Sequence, residues 1–198
     1  MSNLRPALPT LLLAFYAAAA PAQRTLVVDA SGGAGSQFRA IQPAVDAALP
    51  GDIVLVRAGL YREVVLVDKG IRLIGQGARM TMQLFAPGAV QVHNVPRGQT
   101  FAMRGFIADD NGDPRGGTVI VSVENCAGLV SLRDLRQSNL AQWAIAVGGS
   151  AQVHVTDVVL RSARSQDSST VFERVVFDPA TLQGLFVRGG DVDCVRCS

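Results

Sequence analysis

Residues 121–158, VSVENCAGLVSLRDLRQSNLAQWAIAVGGSAQVHVTDV, contain one six-residue pattern twice. The pattern is an apolar residue, any residue, a second apolar residue, two bend residues and a third apolar residue. It occurs at 130–135 and again, 23 residues later, at 153–158. The first two apolar residues are two apart, so both point to the same side of a β-strand. One such unit cannot bury its Val and Leu side chains alone, which predicts that several units stack.

The pattern also occurs at 101–106 and 192–197, and a strand-like run precedes each of its four copies. Those runs occupy 90–94, 121–125, 145–149 and 185–189, and each ends in Asn or Gly. Asn and Gly tolerate the left-handed backbone that a sharp corner requires. The repeat predicts an all-β solenoid of about six to eight coils, with successive coils paired in parallel at roughly 4.8 Å. An antiparallel sandwich is the competing all-β fold, but it does not align Asn94, Asn125 and Gly149 in one column.

Composition restricts the class of protein. The chain has 198 residues, of which 48% are hydrophobic and 17% are charged. That is enough apolar sequence for one domain with a sizeable core. The formal charge is +2 and like charges do not run together. Nucleic acid and anionic membrane surfaces are therefore not expected as partners.

Residues 1–22 have the features of a secretory signal peptide. Arg5 precedes an apolar stretch that ends near Ala20, and small residues follow at 20–22. We expect cleavage near Ala22, a single domain at 23–198, and a secreted, periplasmic or cell-envelope location. An uncleaved N-terminal anchor is the alternative. We expect no membrane span in the mature chain.

The stretch TLVVDASGGAGSQFRAIQPAVDAALPGDIVLVRAGLYREVVLVDKGIRLIGQG, residues 25–77, resembles the N-terminal region of pectin-lyase-like proteins, in particular the pectinesterase-like and periplasmic β-helix-repeat branches. The resemblance implies a right-handed parallel β-helix with a short N-terminal capping α-helix. We expect that helix at about residues 37–48, with Ser36 as its N-cap. Pro43 would kink the helix or mark its true first turn. Four glycines are expected at corners of the first coils: Gly59, Gly70, Gly75 and Gly77.

The resemblance does not extend to catalytic motifs. Residues 59–63, Gly-Leu-Tyr-Arg-Glu, match a Gly-x-Tyr-x-Glu motif that pectinesterases share with non-catalytic relatives. We interpret it as structural, with Gly59 turning the backbone and Tyr61 covering apolar surface. The aspartate and arginine motifs of the pectinesterases, and the histidine motif of the polygalacturonases, do not occur. No catalytic residue is therefore assigned.

Two polar segments are candidates for a ligand site. The first, DDNGDPR at 109–115, is either a solvated turn between coils, a Ca²⁺ loop with oxygen ligands, or an acid/base pair. The second, 161–184, is expected to be a longer insert leaving from the same corner. Together they would wall a groove, with these candidate ligand-binding residues: Asp109, Asp110, Asp113, Arg115, Arg161 and Arg164. No resident cofactor is expected, and Ca²⁺ remains the alternative.

The cysteines and histidines have plain structural interpretations. Cys194 and Cys197 occupy inward positions of the repeat, so both are expected to be small core residues. A disulfide between them and a metal site are the alternatives. Cys126, which follows the corner at Asn125, is also expected to be buried. His93 and His154 each follow an inward residue and are expected on the surface.

These observations lead to two hypotheses for function. The first is an exported, non-catalytic β-helix that presents a surface to a glycan, an envelope component or a protein. The second is a carbohydrate-active enzyme, an esterase or a lyase, that acts on acidic polysaccharide. The last coil shows no cap after Cys197, so we expect a chain shortened at that end or self-association through the uncapped coil.

Overall fold

The computed structural model describes residues 22–81, 89–109, 117–137, 141–177 and 185–198. Thirteen β-strands and one α-helix occupy these residues. In chain order they are β1 Thr25–Val28, α1 Ile41–Ala47, β2 Ile53–Tyr61, β3 Val65–Val67, β4 Arg72–Thr81, β5 Val90–His93, β6 Thr100–Arg104, β7 Ile107–Asp109, β8 Gly117–Glu124, β9 Leu129–Arg133, β10 Arg136–Gln137, β11 Ala141–Gly148, β12 Gln152–Phe177 and β13 Leu185–Val195.

Every ladder between these strands is parallel, and the sheet they form is curled into a half-barrel. Strands that pair are separated in sequence by a whole unit of the repeat, as with β9 and β12. In that ladder Val130 pairs with Val153 and Leu132 with Val155, which is the predicted shift of 23 residues. The predictions of an almost all-β chain and of parallel pairing are confirmed. The antiparallel sandwich is excluded.

Apolar side chains lie in columns on the concave side of the sheet. One column runs from Leu73 through Met103 and Leu132 to Val155, and each member is 0% exposed. A second column pairs the following residues in successive strands: Val65, Val90, Val121, Ile145 and Ala163. Its members are 0–2% exposed. Parallel register therefore places equivalent residues of the repeat in contact, which is how the short strands acquire a common core.

Two further columns consist of residues with left-handed backbone. One contains Asn94, Asn125, Gly149, Asp167 and Gly189, with φ between 49° and 68°. Backbone hydrogen bonds continue along it, since Asn125 N donates to Gly148 O at 2.9 Å and Gly149 N donates to Gln166 O at 3.0 Å. The predicted alignment of Asn94, Asn125 and Gly149 is confirmed. The second column contains Gly105, Asp134, Asp157, Arg174 and Arg196.

Helix α1 is shorter than predicted and begins later. Residues 37 and 38 are not helical: Gln37 N and Phe38 N both donate to Val27 O, and Phe38 forms an isolated parallel β-bridge with Val28. Ser36 is therefore not the N-cap, and its hydroxyl donates to Gly33 O at 2.7 Å. The N-cap is Ala40, whose side chain makes no cap, and Pro43 lies in the first turn of the helix.

The helix N-terminus is capped by a residue distant in sequence. Glu63 accepts hydrogen bonds from Ile41 N at 2.8 Å and from Gln42 N at 2.9 Å. These are two of the four amide groups that a helix leaves without an internal partner. A carboxylate also complements the positive end of the helix dipole. Glu63 thus replaces the local cap that we expected from Ser36.

The glycines expected at corners are of two kinds. Gly77, within β4, has a positive φ of 76°, whereas Gly59 in β2 and Gly75 in β4 do not have a positive φ. A Cβ atom at Gly75 would lie 2.7 Å from Gly105 O, and one at Gly70 would lie 2.7 Å from Thr100 N. The prediction of a corner agrees with the left-handed backbone of Gly77 and with the position of Gly70 in the bend between β3 and β4, whereas Gly59 and Gly75 lie within strands and have no positive φ. Glycine is required at 70 and 75 because neighbouring backbone comes too close for any side chain.

The predicted insert at 161–184 is also wrong, because 161–177 belong to β12. This segment forms a fifth pair of strand-like runs. Ala163 and Ser165 pair with Ile145 and Val147 of β11. The apolar pattern did not reveal these two runs, because the polar residues Ser165 and Thr170 occupy inward positions, 0% and 1% exposed. Their hydroxyl oxygens lie 2.9 Å apart and form a hydrogen bond, which removes the penalty of burying either one alone.

Asp52 joins the N-terminal strand to the end of α1. Its carboxylate accepts from Arg24 Nε at 2.9 Å, from Arg24 N at 3.0 Å and from Leu49 N at 2.9 Å. The hydrogen bond from the Arg24 side chain is the largest cause that lowers the pKa of Asp52 from 3.8 to about 2. The Asp52 side chain is buried while that of Arg24 is 48% exposed. This ion pair connects the residue before β1 to the residue before β2.

No helix within the described ranges has the length and apolar character needed to cross a membrane.

Candidate functional site

A shallow depression lies on the outer face of the sheet where β8, β11 and β12 run side by side. Its volume is about 480 Å³. Its floor is made by small residues of β11 and the following corner, namely Ala146, Gly148 and Gly149. Its two walls are polar and carry Glu124 and Asn125 on one side and Arg164, Gln166 and Asp167 on the other.

The depression follows from strand alternation. Val147 points inward and is 3% exposed, so its neighbours Ala146 and Gly148 point outward. Gly148 pairs in register with Glu124 of β8 on one side and with Gln166 of β12 on the other. A Cβ atom at Gly148 would meet nothing within 4 Å. The missing side chain therefore leaves a gap between two longer polar ones.

The corner next to this gap is fixed by close contact. Gly149 has a φ of 57°, and a Cβ atom there would lie 2.7 Å from Asn125 Oδ1. The Asn125 carboxamide therefore lies directly over Gly149. A larger residue at 149 would be strained in its backbone and would push Asn125 aside. Residue 149 thus sets the position of one polar group in the wall.

The charges around the depression are mixed. Glu124 and Asp167 supply two carboxylates and Arg164 supplies one guanidinium, while Asn125 and Gln166 supply carboxamides. The Gln166 side chain donates to Asp167 Oδ2 at 3.4 Å, which ties the two together. The site can therefore donate and accept hydrogen bonds over a short distance. That is the chemistry required to bind hydroxyl-rich molecules.

Of the predicted ligand-binding residues, Arg164 lines this depression. Arg161 lies three residues earlier on β12 and is not part of the lining. Asp109 is on β7, where it is 5% exposed and its Oδ2 lies 3.1 Å from Arg79 Nε. Its buried carboxylate belongs to an ion pair with the half-exposed Arg79. Three candidates lie outside the described residues: Asp110, Asp113 and Arg115.

Asp167 lies in the segment 161–184 that was expected to wall a groove, although it was not among the candidate ligand-binding residues. Sequence reasoning did not single out Glu124 and Gln166, because outward positions carry no repeat signal. A signal does exist in residues 146–149, Ala-Val-Gly-Gly. There the outward positions 146 and 148 are both small while an inward residue separates them. Such a pattern within a strand predicts a dip in the outer surface.

The Trp and Tyr side chains of the described residues are buried. Trp143 is 0% exposed and its Nε1 donates to Arg136 O at 2.6 Å. Tyr61 is 3% exposed, and its hydroxyl donates to Arg57 O at 3.1 Å. These are the Trp and the Tyr that follow the N-terminal segment. Recognition at the depression would therefore rest on hydrogen bonds.

The cysteines differ from one another. Cys126 is 1% exposed, as predicted, and burial raises the pKa of its thiol. Cys194 is exposed and Cys197 is partly exposed, so the prediction of two core residues is wrong for Cys194. The cause is that Cys194 lies on β13, which pairs with β12 along one of its two edges. All three cysteines are unpaired in the structure.

The histidines lie on the outer side of the sheet, with His154 exposed and His93 partly exposed. Within the described part of the chain, no three His, Cys, Asp or Glu side chains are arranged to hold a metal ion.

Comparison of the chain with protein-family models, with curated proteins and with solved structures found no match.

Proposed function

We propose that this chain is an exported, non-catalytic right-handed parallel β-helix whose outer face binds a glycan in the depression over Gly148. The supporting features of the fold are the parallel ladders and the two columns of left-handed corners. The resemblance of residues 25–77 to pectin-lyase-like proteins is consistent with this architecture. Function cannot be transferred from that resemblance, because one fold hosts many activities.

The depression itself is the observation that carries the proposal. It offers carboxylate, carboxamide and guanidinium groups from strands that run parallel at about 4.8 Å spacing. Sugar hydroxyls both donate and accept hydrogen bonds, so each finds a partner of the required kind here. A shallow open site without stacking aromatics fits weak binding of a repeating polymer, which gains strength from many units.

The charges favour a neutral glycan. Two carboxylates and one guanidinium line the depression, so a polyuronate would meet net repulsion. A neutral chain avoids that penalty. This reasoning separates the proposal from the second hypothesis, an esterase or lyase acting on acidic polysaccharide.

Affinity electrophoresis of the chain from residue 23 onward tests the proposal. Native gels would contain dextran, galactomannan or polygalacturonate. We expect the protein to be retarded by a neutral polymer and not by polygalacturonate. Retardation by polygalacturonate alone would overturn the neutral-glycan assignment, and unchanged mobility in every gel would overturn glycan binding.

A steric block localises the site. Gly148→Gln fills the depression, and its Cβ meets no neighbour, so the fold should be kept. We expect this variant to lose the retardation. Ser131→Gln is the matched control, because Ser131 points outward on β9, away from the depression. Release of reducing ends from any of the polymers would contradict the non-catalytic part of the proposal.

A further inference from the structure

Two thiols converge at the bend that ends β13. Cys194 is the register partner of Phe172, which is 0% exposed. The Sγ atom of Cys197 lies 3.5 Å from the carbonyl oxygen of the same Phe172. Both thiols therefore lie beside one residue of β12, although three positions separate them in the chain.

The backbone between the two cysteines turns them to the same side. Arg196 has a φ of 54° and belongs to the second column of left-handed corners. Asp157 is another residue of that column. Residues 155 and 158 flank it, and both are buried, 0% and 2% exposed. Cys194 and Cys197 occupy the equivalent places around Arg196. The corner thus directs both thiols towards the concave side.

We propose that Cys194 and Cys197 form a reversible disulfide that closes the bend at Arg196. The inference is independent of the glycan site. Cys126 takes no part, since it is buried and its Sγ lies 3.4 Å from Glu124 O in another part of the sheet.

The reaction requires a disulfide oxidant of the glutathione type. The thiolate of the exposed Cys194 attacks one sulfur of the oxidant, forms a mixed disulfide and expels the first thiol. The thiolate of Cys197 then attacks Cys194 Sγ, forms the internal bond and expels the second thiol. Two protein thiols are oxidised, one oxidant disulfide is reduced, and the two protons pass to the released thiols. Burial and then the neighbouring Cys197 raise the pKa of Cys194, so the first step accelerates as pH rises.

The disulfide would fasten β13, the last described strand, to β12. Thr170–Glu173 pair with β13 before the bend. After the bend, Ser198 N donates to Val175 O at 3.1 Å and Phe177 N donates to Ser198 O at 2.8 Å. A bond across the bend links these two contacts, so they open together. We expect amide exchange at 191–198 to slow by about tenfold, as a short closed loop implies.

Peptide mapping provides the test. The native protein is incubated with oxidised glutathione at pH 8, alkylated and digested with trypsin, which cuts after Arg188 and Arg196. We expect peptide 189–196 to remain joined to 197–198, with a loss of two hydrogens from the intact mass. Cys126→Ser should behave like the parent chain. Cys194→Ser and Cys197→Ser should fail to give the linked peptides.

Three results would overturn the proposal. They are a native protein that keeps three alkylatable thiols, one that stops at a glutathione adduct on Cys194, and one that forms a bond including Cys126 or a second chain. Equal exchange rates at 191–198 in the oxidised and reduced forms would overturn the fastening role alone.

Discussion

Replacement of Asp52 by Asn tests how the first strand is held. The carboxylate accepts from Arg24 Nε, Arg24 N and Leu49 N at 2.9–3.0 Å, and the side chain is buried. Asn has one oxygen, so its NH₂ group must face at least one of these donors. The substitution therefore removes an ion pair and leaves a donor opposite a donor.

The expected loss of folding free energy in Asp52→Asn follows from the pKa of Asp52. That pKa is about 2 in the folded chain against an ordinary 3.8, and each pKa unit corresponds to roughly 1.36 kcal/mol. The full difference is about 2.4 kcal/mol at pH 7. Because Arg24 is 48% exposed, solvent screening reduces the expected loss to about 1–2 kcal/mol.

The sign of the pH dependence is fixed. A carboxyl group with a lowered folded-state pKa stabilises the fold above its unfolded pKa of 3.8 and loses that effect as pH falls towards 2. We expect the parent chain to exceed Asp52→Asn in free energy of unfolding by the full amount at pH 7. At pH 2.5 about a third of the difference should remain.

Urea denaturation followed by Trp143 fluorescence measures this difference, since Trp143 is the one Trp and is buried. With an m-value of about 2 kcal/mol/M, the midpoint should fall by about 0.5–1 M at pH 7. Asp68→Asn is the matched control, because it removes the same charge from an exposed side chain. Equal midpoints for Asp52→Asn and Asp68→Asn, or a difference that does not change between pH 7 and pH 2.5, would refute the reasoning.

Two further predictions concern close backbone approach and buried hydroxyls. Gly105→Ala should lower the free energy of unfolding by about 3 kcal/mol, because φ is +74° and the new Cβ would lie 2.5 Å from Gly75 O. Gly148→Ala should change it by less than about 0.5 kcal/mol, and equal urea midpoints for the two variants would contradict this account. Thr170→Val should cost about 1 kcal/mol by leaving the Ser165 hydroxyl without its partner, and adding Ser165→Ala should cost less than the sum of the single changes. A double-mutant cycle in urea measures that coupling, and simple additivity would refute it.

The parallel pairing could be predicted because inward residues must repeat. Each of Val130, Leu132 and Leu135 is 0–1% exposed, and each is apolar for that reason. Asn at 94 and 125 carried a second signal, since few other residues tolerate a positive φ. Inward packing restricts a position to apolar residues, and a positive φ favours Asn or Gly. These two preferences are visible in the sequence and predict the parallel pairing.

The strand-like runs at 161–177 could not be predicted, because polar residues can also fill inward positions when they hydrogen-bond to one another, and charged residues can also occupy corners. Ser165 and Thr170 satisfy an inward position by bonding to one another, so no apolar pattern reveals their row. Asp157 and Arg174 occupy left-handed corners, and Arg174 is a residue type that sequence reasoning does not place there. Asp157 bonds with the guanidinium of Arg174, and this contact crosses the corner column from one row to the next. Contacts of this kind join residues far apart in the sequence, so they can be identified only from the folded structure.

The motif at 59–63 has a structural explanation in the contacts of Gly59, Tyr61 and Glu63. A Cβ atom on Gly59 would press on Ala30 Cβ and Tyr61 Cε2 at 3.3 Å, so the glycine permits close packing inside β2. The Tyr61 hydroxyl accepts from Ala30 N at 3.3 Å and donates to Arg57 O, which anchors the segment after β1. Glu63 uses both carboxylate oxygens to cap α1. Since Gly59 and Tyr61 contact Ala30 and Glu63 caps α1, the motif is explained by assembly of β1, β2 and the helix.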